Sequence, residues 1–146
     1  MVPLTTWICD TCGDVIEDVN NGMVVWNSDE SLRKDGFKIV HKGKQCDLDP
    51  RMQSLGLKDL VGQDGQAWLT SWLSYGPIKN HGNSDRILDM DAYVDLFRRL
   101  QTPWYEEARA YFQSETIQER WGDSNEASPY TSDSLRRIAE AGRAAD

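Results

Sequence analysis

The sequence predicts an α+β protein, with a β-hairpin module over residues 1–50 packed on a small α-helical bundle over residues 51–146. Three observations carry this expectation. All three cysteines and one of the two histidines fall within the first 46 residues, spaced as Cys9-x2-Cys12 and His41-x4-Cys46. Around them, short β-branched and aromatic runs alternate with turn formers. Beyond Pro50 the apolar residues instead recur at intervals of three and four, the period of an amphipathic helix.

Thr5-Thr6-Trp7-Ile8 reads as a strand entering the first cysteine pair, and Val15-Ile16 as the strand leaving it. Gly13 follows the second cysteine, where a tight knuckle needs positive φ so that backbone amides can turn toward sulfur. Asn20-Asn21-Gly22 is a strong turn signal, and Met23-Val24-Val25-Trp26 after it has strand length and composition. Asn27 to Gly36 is polar, a loop or short helical turn. Gly36-Phe37-Lys38-Ile39-Val40-His41 alternates as a half-buried strand that delivers His41 at its end. A glycine turn leads to Cys46, after which Asp49 and Pro50 read as the cap and first residue of a helix.

Asp64 then caps a helix carrying Ala67, Trp68, Leu69, Trp72, Leu73 and Tyr75 on one broad face, ended by Gly76-Pro77. Residues 79–87, which include His81, have no periodicity and form the longest loop of the body. A second helix carries Met90, Tyr93, Val94, Phe97 and Leu100. Thr102-Pro103 stops it and opens a third, with Trp104, Ala108, Tyr111, Phe112 and Trp121 directed to the core. Residues 122–131 form a polar linker. A terminal helix runs from Ser132 to about Ala141, with Leu135, Ile138 and Ala139 as a thin apolar stripe and a tail free to fray.

Four Cys/His groups in a small segment match the closed tetrahedral sites in which Zn²⁺ supports folding. Cys9, Cys12, His41 and Cys46 are therefore the expected ligands of a structural zinc. The spacing Cys-x2-Cys, 28 residues, His-x4-Cys resembles the treble-clef and zinc-ribbon group, and loosely the first half of a LIM-type module. That resemblance covers the first third of the chain and implies a knuckle, a hairpin, and last ligands at the entry to a helix. It departs from the LIM pattern in its longer centre and in having four residues between His41 and Cys46. A catalytic variant would release Cys46 or His41 from the metal and use Asp10 or Asp47 as base. It needs a cleft that the edge of a small hairpin rarely supplies.

No Gly-rich phosphate loop, nucleophile elbow, Rossmann fingerprint or deaminase pattern occurs, so a non-enzymatic role is expected. The formal charge of −8 repels a phosphate backbone at long range. Arg33, Lys34, Lys38, Lys42 and Lys44 form one local basic cluster, although residues 1–50 still hold nine acids against five bases. The cluster reads first as a solvated hairpin face. Arg86, Arg98, Arg99, Arg109 and Arg120 could make a second cationic face, but helical pairs such as Asp95–Arg99 and Glu106–Arg109 are the simpler expectation. Trp104-Tyr105 beside arginines has the composition of a contact hot spot.

No apolar run near eighteen residues and no charged-then-apolar leader occurs, so a cytoplasmic protein is expected. The expected function is binding of another macromolecule, foremost a protein, with Trp26, Phe37, Lys38, Lys42 and Lys44 as contact candidates. Nucleic-acid binding through the basic hairpin 33–44, with Trp26 or Phe37 stacking on a base, is the alternative. A further alternative is an acidic nucleic-acid mimic presenting Asp85, Asp89, Asp91 and Asp95.

Overall fold

The computed structural model describes residues 2–43, 45–47, 49–79 and 86–145. They fall into two compact units, one of Thr5–Gln101 and one formed from Thr102 onward together with the residues before Thr5. The expected change of architecture near residue 50 is thus not where the units divide. The reason is side-chain packing: the first two helices supply aromatic and apolar groups to the same core as the hairpin strands.

In the first unit, β1 (Trp7–Ile8) and β2 (Val15–Ile16) form an antiparallel ribbon with Trp7 opposite Ile16. A 3-10 turn over Val19–Asn21, capped by the Asp18 carboxylate, leads into β3 (Gly22–Ser28). β3 is the centre of a three-stranded antiparallel sheet, between β4 (Lys34–His41) and β5 (Gln53–Gly56). Gly22 pairs with His41 and Val24 with Ile39, and the register shifts between Val25 and Asn27. Val24, Val25 and Trp26 are all buried, so β3 is covered on both faces. Gly22 is required there, because a Cβ would overlap the Leu57 side chain.

The helix expected at Pro50 is absent. Asp49 instead accepts from the Arg51 amide at 3.0 Å and pairs with the Arg51 guanidinium, a local turn that precedes β5. Trp26 opposite Gln53 through Met23 opposite Gly56 sets the β5 register.

α1 (Gly62–Ser71) starts two residues before the expected cap and buries Leu69, with Trp72 buried just past its end. The broad apolar face is only partly used: Trp68, Leu73 and Tyr75 are exposed. α2 (Met90–Gln101) is capped by Asp89, whose Oδ1 accepts from the Ala92 amide at 3.1 Å, and buries Tyr93, Leu96 and Leu100. Trp26, Phe37, Trp72 and Tyr93 form an aromatic cluster with centroid separations of 4.8–6.4 Å. The Tyr93 hydroxyl donates to the Leu69 carbonyl, tying α2 to α1.

The second unit is helical. Trp104 takes a left-handed φ of 74°, which turns the chain before α3 (Tyr105–Ala108). A 3-10 turn over Arg109–Tyr111 follows, and Ser114 caps α4 (Glu115–Trp121) by accepting from the Ile117 amide. The single third helix expected from Thr102 is therefore two short ones, divided where Ser114 offers a better cap than a continued turn. After the polar stretch, α5 (Ser132–Ala145) extends beyond the expected end and buries Leu135, Ile138 and Ala139 against Tyr105, Ala108 and Ile117.

Candidate metal centre

The turn between β1 and β2 carries Cys9 and Cys12. The Cys9 amide donates to the Asp14 carbonyl at 2.9 Å, and the Gly13 amide to the Cys9 carbonyl at 3.0 Å, with Gly13 at φ +80°. This backbone brings the Thr11 amide to 3.4 Å from the Cys9 sulfur. The last residue of β4 is His41, and Cys46 lies in the following turn. The Thr11 hydroxyl donates to the Cys46 carbonyl at 3.1 Å, linking the two ligand-bearing turns.

One donor atom from each of Cys9, Cys12, His41 and Cys46 lies within 4.8 Å of the others. His41 Nδ1 is 3.4 Å from the Cys12 sulfur and 3.7 Å from the Cys46 sulfur. Its Nε2 is 3.2 Å from the Val15 carbonyl oxygen. A carbonyl only accepts, so Nε2 carries the proton and Nδ1 presents its lone pair to the thiols. Three thiols and one imidazole nitrogen thus converge in an arrangement compatible with a metal ion, and all four are the residues expected from the sequence.

The electrostatics favour thiolate at the innermost position. Burial raises the Cys9 thiol, but backbone N–H groups of Cys12, His41 and Thr11 outweigh it and lower the pKa to about 6. Cys46 is pushed up to about 11 by burial and by hydrogen bonds to the other sulfurs. His41 is raised, first through its hydrogen bond with the Cys9 sulfur.

The support around the cluster comes from a residue that sequence reasoning placed elsewhere. Arg99 of α2 is 3 % exposed, so it belongs to no cationic surface. Its guanidinium donates to Asp10 Oδ2 at 2.7 Å and to the Ile8 carbonyl at 3.0 Å. Asp10 Oδ2 also accepts from the Ile39 amide at 2.8 Å, and the Asp10 amide donates to the Ile39 carbonyl at 2.8 Å. The Trp7 indole N–H donates to the Arg99 carbonyl at 2.9 Å. Asp10, between the two knuckle cysteines, is thereby tied to β4 and α2. It holds the knuckle and is not placed as a base. The signal was available in the helical register: Arg99 lies three residues beyond Leu96, on the buried stripe of α2.

The other expected site residues are dispersed. Trp26 is buried in the aromatic cluster, and Phe37 is half-buried in it with its ring 6.0 Å from Trp72. Both rings take part in core packing, Trp26 buried and Phe37 with part of its surface left exposed. Lys38 and Lys42 are exposed. Lys44, His81 and Asp85 lie outside the described residues. Among the described residues, no helix is long and apolar enough to cross a membrane. No protein-family model, curated protein or solved structure matches this chain.

Proposed function

We propose that this chain is a non-enzymatic protein in which Cys9, Cys12, His41 and Cys46 hold one structural Zn²⁺, and that the module so ordered binds a protein partner. The closed four-donor set carries the metal reading. A tetrahedral zinc with Zn–S near 2.3 Å and Zn–N near 2.0–2.1 Å sets S···N separations of about 3.5–3.6 Å. The observed 3.4 and 3.7 Å separations bracket that value. Four protein donors complete the coordination of a structural site, and the Val15 carbonyl fixes the imidazole as second-shell groups do at such sites. The arrangement is a zinc-ribbon-like variant of the treble-clef and zinc-ribbon group, since a strand follows the last ligand.

What the zinc supplies is fold. The two-residue strands of the knuckle bury little by themselves, and joining the two ligand-bearing turns through one ion supplies the order they lack. The partner reading is supported by the exposed apolar side chains. Six of the ten large ones among the described residues, including Leu73, Ile78, Leu88 and Met90, lie between Trp68 and Met90. Such a concentration of exposed apolar side chains in one stretch of chain supports an interaction role, and the acidic charge favours a basic protein over DNA.

The test is capture from nuclease-treated native lysate on immobilised protein. A defined protein retained by the wild type, and lost both with Ile78→Asp and after zinc chelation, is expected. Recovery of nuclease-sensitive material alone would reject the protein-partner reading and favour nucleic acid.

A further inference from the structure

The first residue of β4, Lys34, is 7 % exposed. Among the described residues no carboxylate pairs with its ammonium, which lies 5.7 Å from the centroid of the Trp72 ring. A second cation is fixed beside it by the backbone. The Lys34 amide donates to the Arg86 carbonyl at 2.8 Å, the Leu88 amide donates to the Lys34 carbonyl at 3.0 Å, and Ile87 forms a parallel bridge with Lys34. The Arg86 guanidinium lies 3.7 Å from the Tyr75 centroid, and its Nε is buried with no hydrogen-bond partner. Burial, then the charge of Arg86, lowers the Lys34 pKa.

A buried ammonium and a half-buried guanidinium that act on one another, with no carboxylate partner among the described residues, are costly to keep charged, and an anion that meets both offsets the cost. Both cations line a groove of about 600 Å³, the size of a small-molecule site. Among the described residues none that lines it is acidic, although the chain as a whole carries −8. Its walls are aromatic: Trp26 and Trp72 lie within, and Trp68 and Tyr75 keep 47 % and 44 % of their surface exposed. Gln53 also lines it. Its carbonyl oxygen accepts from the Trp26 indole at 2.8 Å and the Ser28 hydroxyl at 2.9 Å, which leaves its amide NH₂ as the donor.

We propose that this groove binds a nucleotide, with the phosphate neutralised by Lys34 and Arg86 and the base stacked on Trp68. A phosphate dianion suits a paired ammonium and guanidinium. A flat base suits an exposed indole, whatever its sequence. An acidic peptide would meet the cations and leave the aromatic rim uncovered. The site shares no residue with the metal cluster and does not depend on the protein-partner reading. A free nucleotide and a nucleotide within a single strand offer the same chemistry.

The test titrates the zinc-loaded full chain with 5′-AMP, adenosine, inorganic phosphate and a single-stranded deoxyadenosine octamer, followed by tryptophan fluorescence and calorimetry. Saturable one-to-one binding of 5′-AMP is expected, with adenosine and phosphate each weaker by about tenfold or more. Lys34→Met and Arg86→Gln should each weaken 5′-AMP by about tenfold, and Trp68→Ala by about threefold with loss of much of the quenching. An octamer at least about tenfold tighter than 5′-AMP assigns a single strand, and a smaller difference assigns the free nucleotide. Near-ultraviolet circular dichroism checks folding. If Lys34→Met loses that signal, Arg86→Gln and Trp68→Ala decide. Absence of saturation by 5′-AMP and octamer up to about 5 mM overturns the proposal. So does phosphate binding as tightly as 5′-AMP, or affinity unchanged in Arg86→Gln.

Discussion

Replacing Arg99 with methionine should destabilise the first unit far more than a helical surface arginine would. The side chains of Arg99 and Asp10 are 4 % and 23 % exposed, and their charges meet at 2.7 Å. Removing one partner of a fully buried pair costs about 3–5 kcal/mol, chiefly because the other charge is left uncompensated. Asp10 retains some access to water and still accepts from the Ile39 amide at 2.8 Å, which places the expected cost at about 2–3 kcal/mol. For a unit of about a hundred residues this lowers the melting temperature by about 10–20 °C. Thermal unfolding of zinc-loaded protein by near-ultraviolet circular dichroism measures it, and a chromogenic chelator follows metal release. Because Asp10 sits between Cys9 and Cys12, release should be faster in the variant. A double-mutant cycle with Asp10→Ala should show coupling of about 2 kcal/mol. A loss below about 1 kcal/mol for Arg99→Met, or additive single effects, would refute the clamp.

Three other outcomes are expected. Gly142→Ala should destabilise the second unit, although alanine is the better helix former by about 1 kcal/mol, because the new Cβ overlaps the Tyr111 ring at an overpacking cost of about 1–3 kcal/mol; a raised urea midpoint would contradict this. Tyr93 has its pKa raised by burial from 10.0 to about 12. Between those values the unfolded chain has lost the phenolic proton and the folded one keeps it, so stability falls by about 1.4 kcal/mol per pH unit. Below pH 10 that contribution is fully present, and Tyr93→Phe should flatten the alkaline limb; an equally steep limb in the variant would count against it. Cys12→Ser should lower metal content and melt the knuckle, whereas His81→Ala should leave metal content unchanged by elemental analysis.

The metal cluster was legible because ligand spacing is a local property: Gly13 and two short apolar pairs suffice to make a knuckle, and a strand ending at His41 brings the second half across. The existence of α2 was legible for a similar reason, since Tyr93 and Leu100 recur at helical spacing and are both buried, but its inward face was misjudged: Leu96 is buried and Met90 is exposed. What failed depended on partners distant in sequence. Asp49-Pro50 has the chemistry of a helix cap, but the same carboxylate serves a turn when Arg51 follows and β3 offers an open edge to Gln53–Gly56. The packing of Trp26 on Trp72 and of Phe37 on Tyr93 was likewise not legible, because the partners lie at the end of α1 and in α2. Lys34 reads as a solvated hairpin base, yet Arg86–Leu88, half a unit away in sequence, pairs with its backbone and buries it. Arg99 shows the same limit: its helical position marks it as inward-facing, but Asp10 as its partner is visible only in three dimensions.

The most direct measurement is zinc K-edge X-ray absorption on the native protein, with metal content determined on the same sample. One zinc per chain is expected, with three sulfurs near 2.3 Å and one nitrogen near 2.0–2.1 Å. Fewer sulfurs with an oxygen in the shell would contradict a closed structural site, and protein that folds without metal would contradict the account of how its first unit is held together.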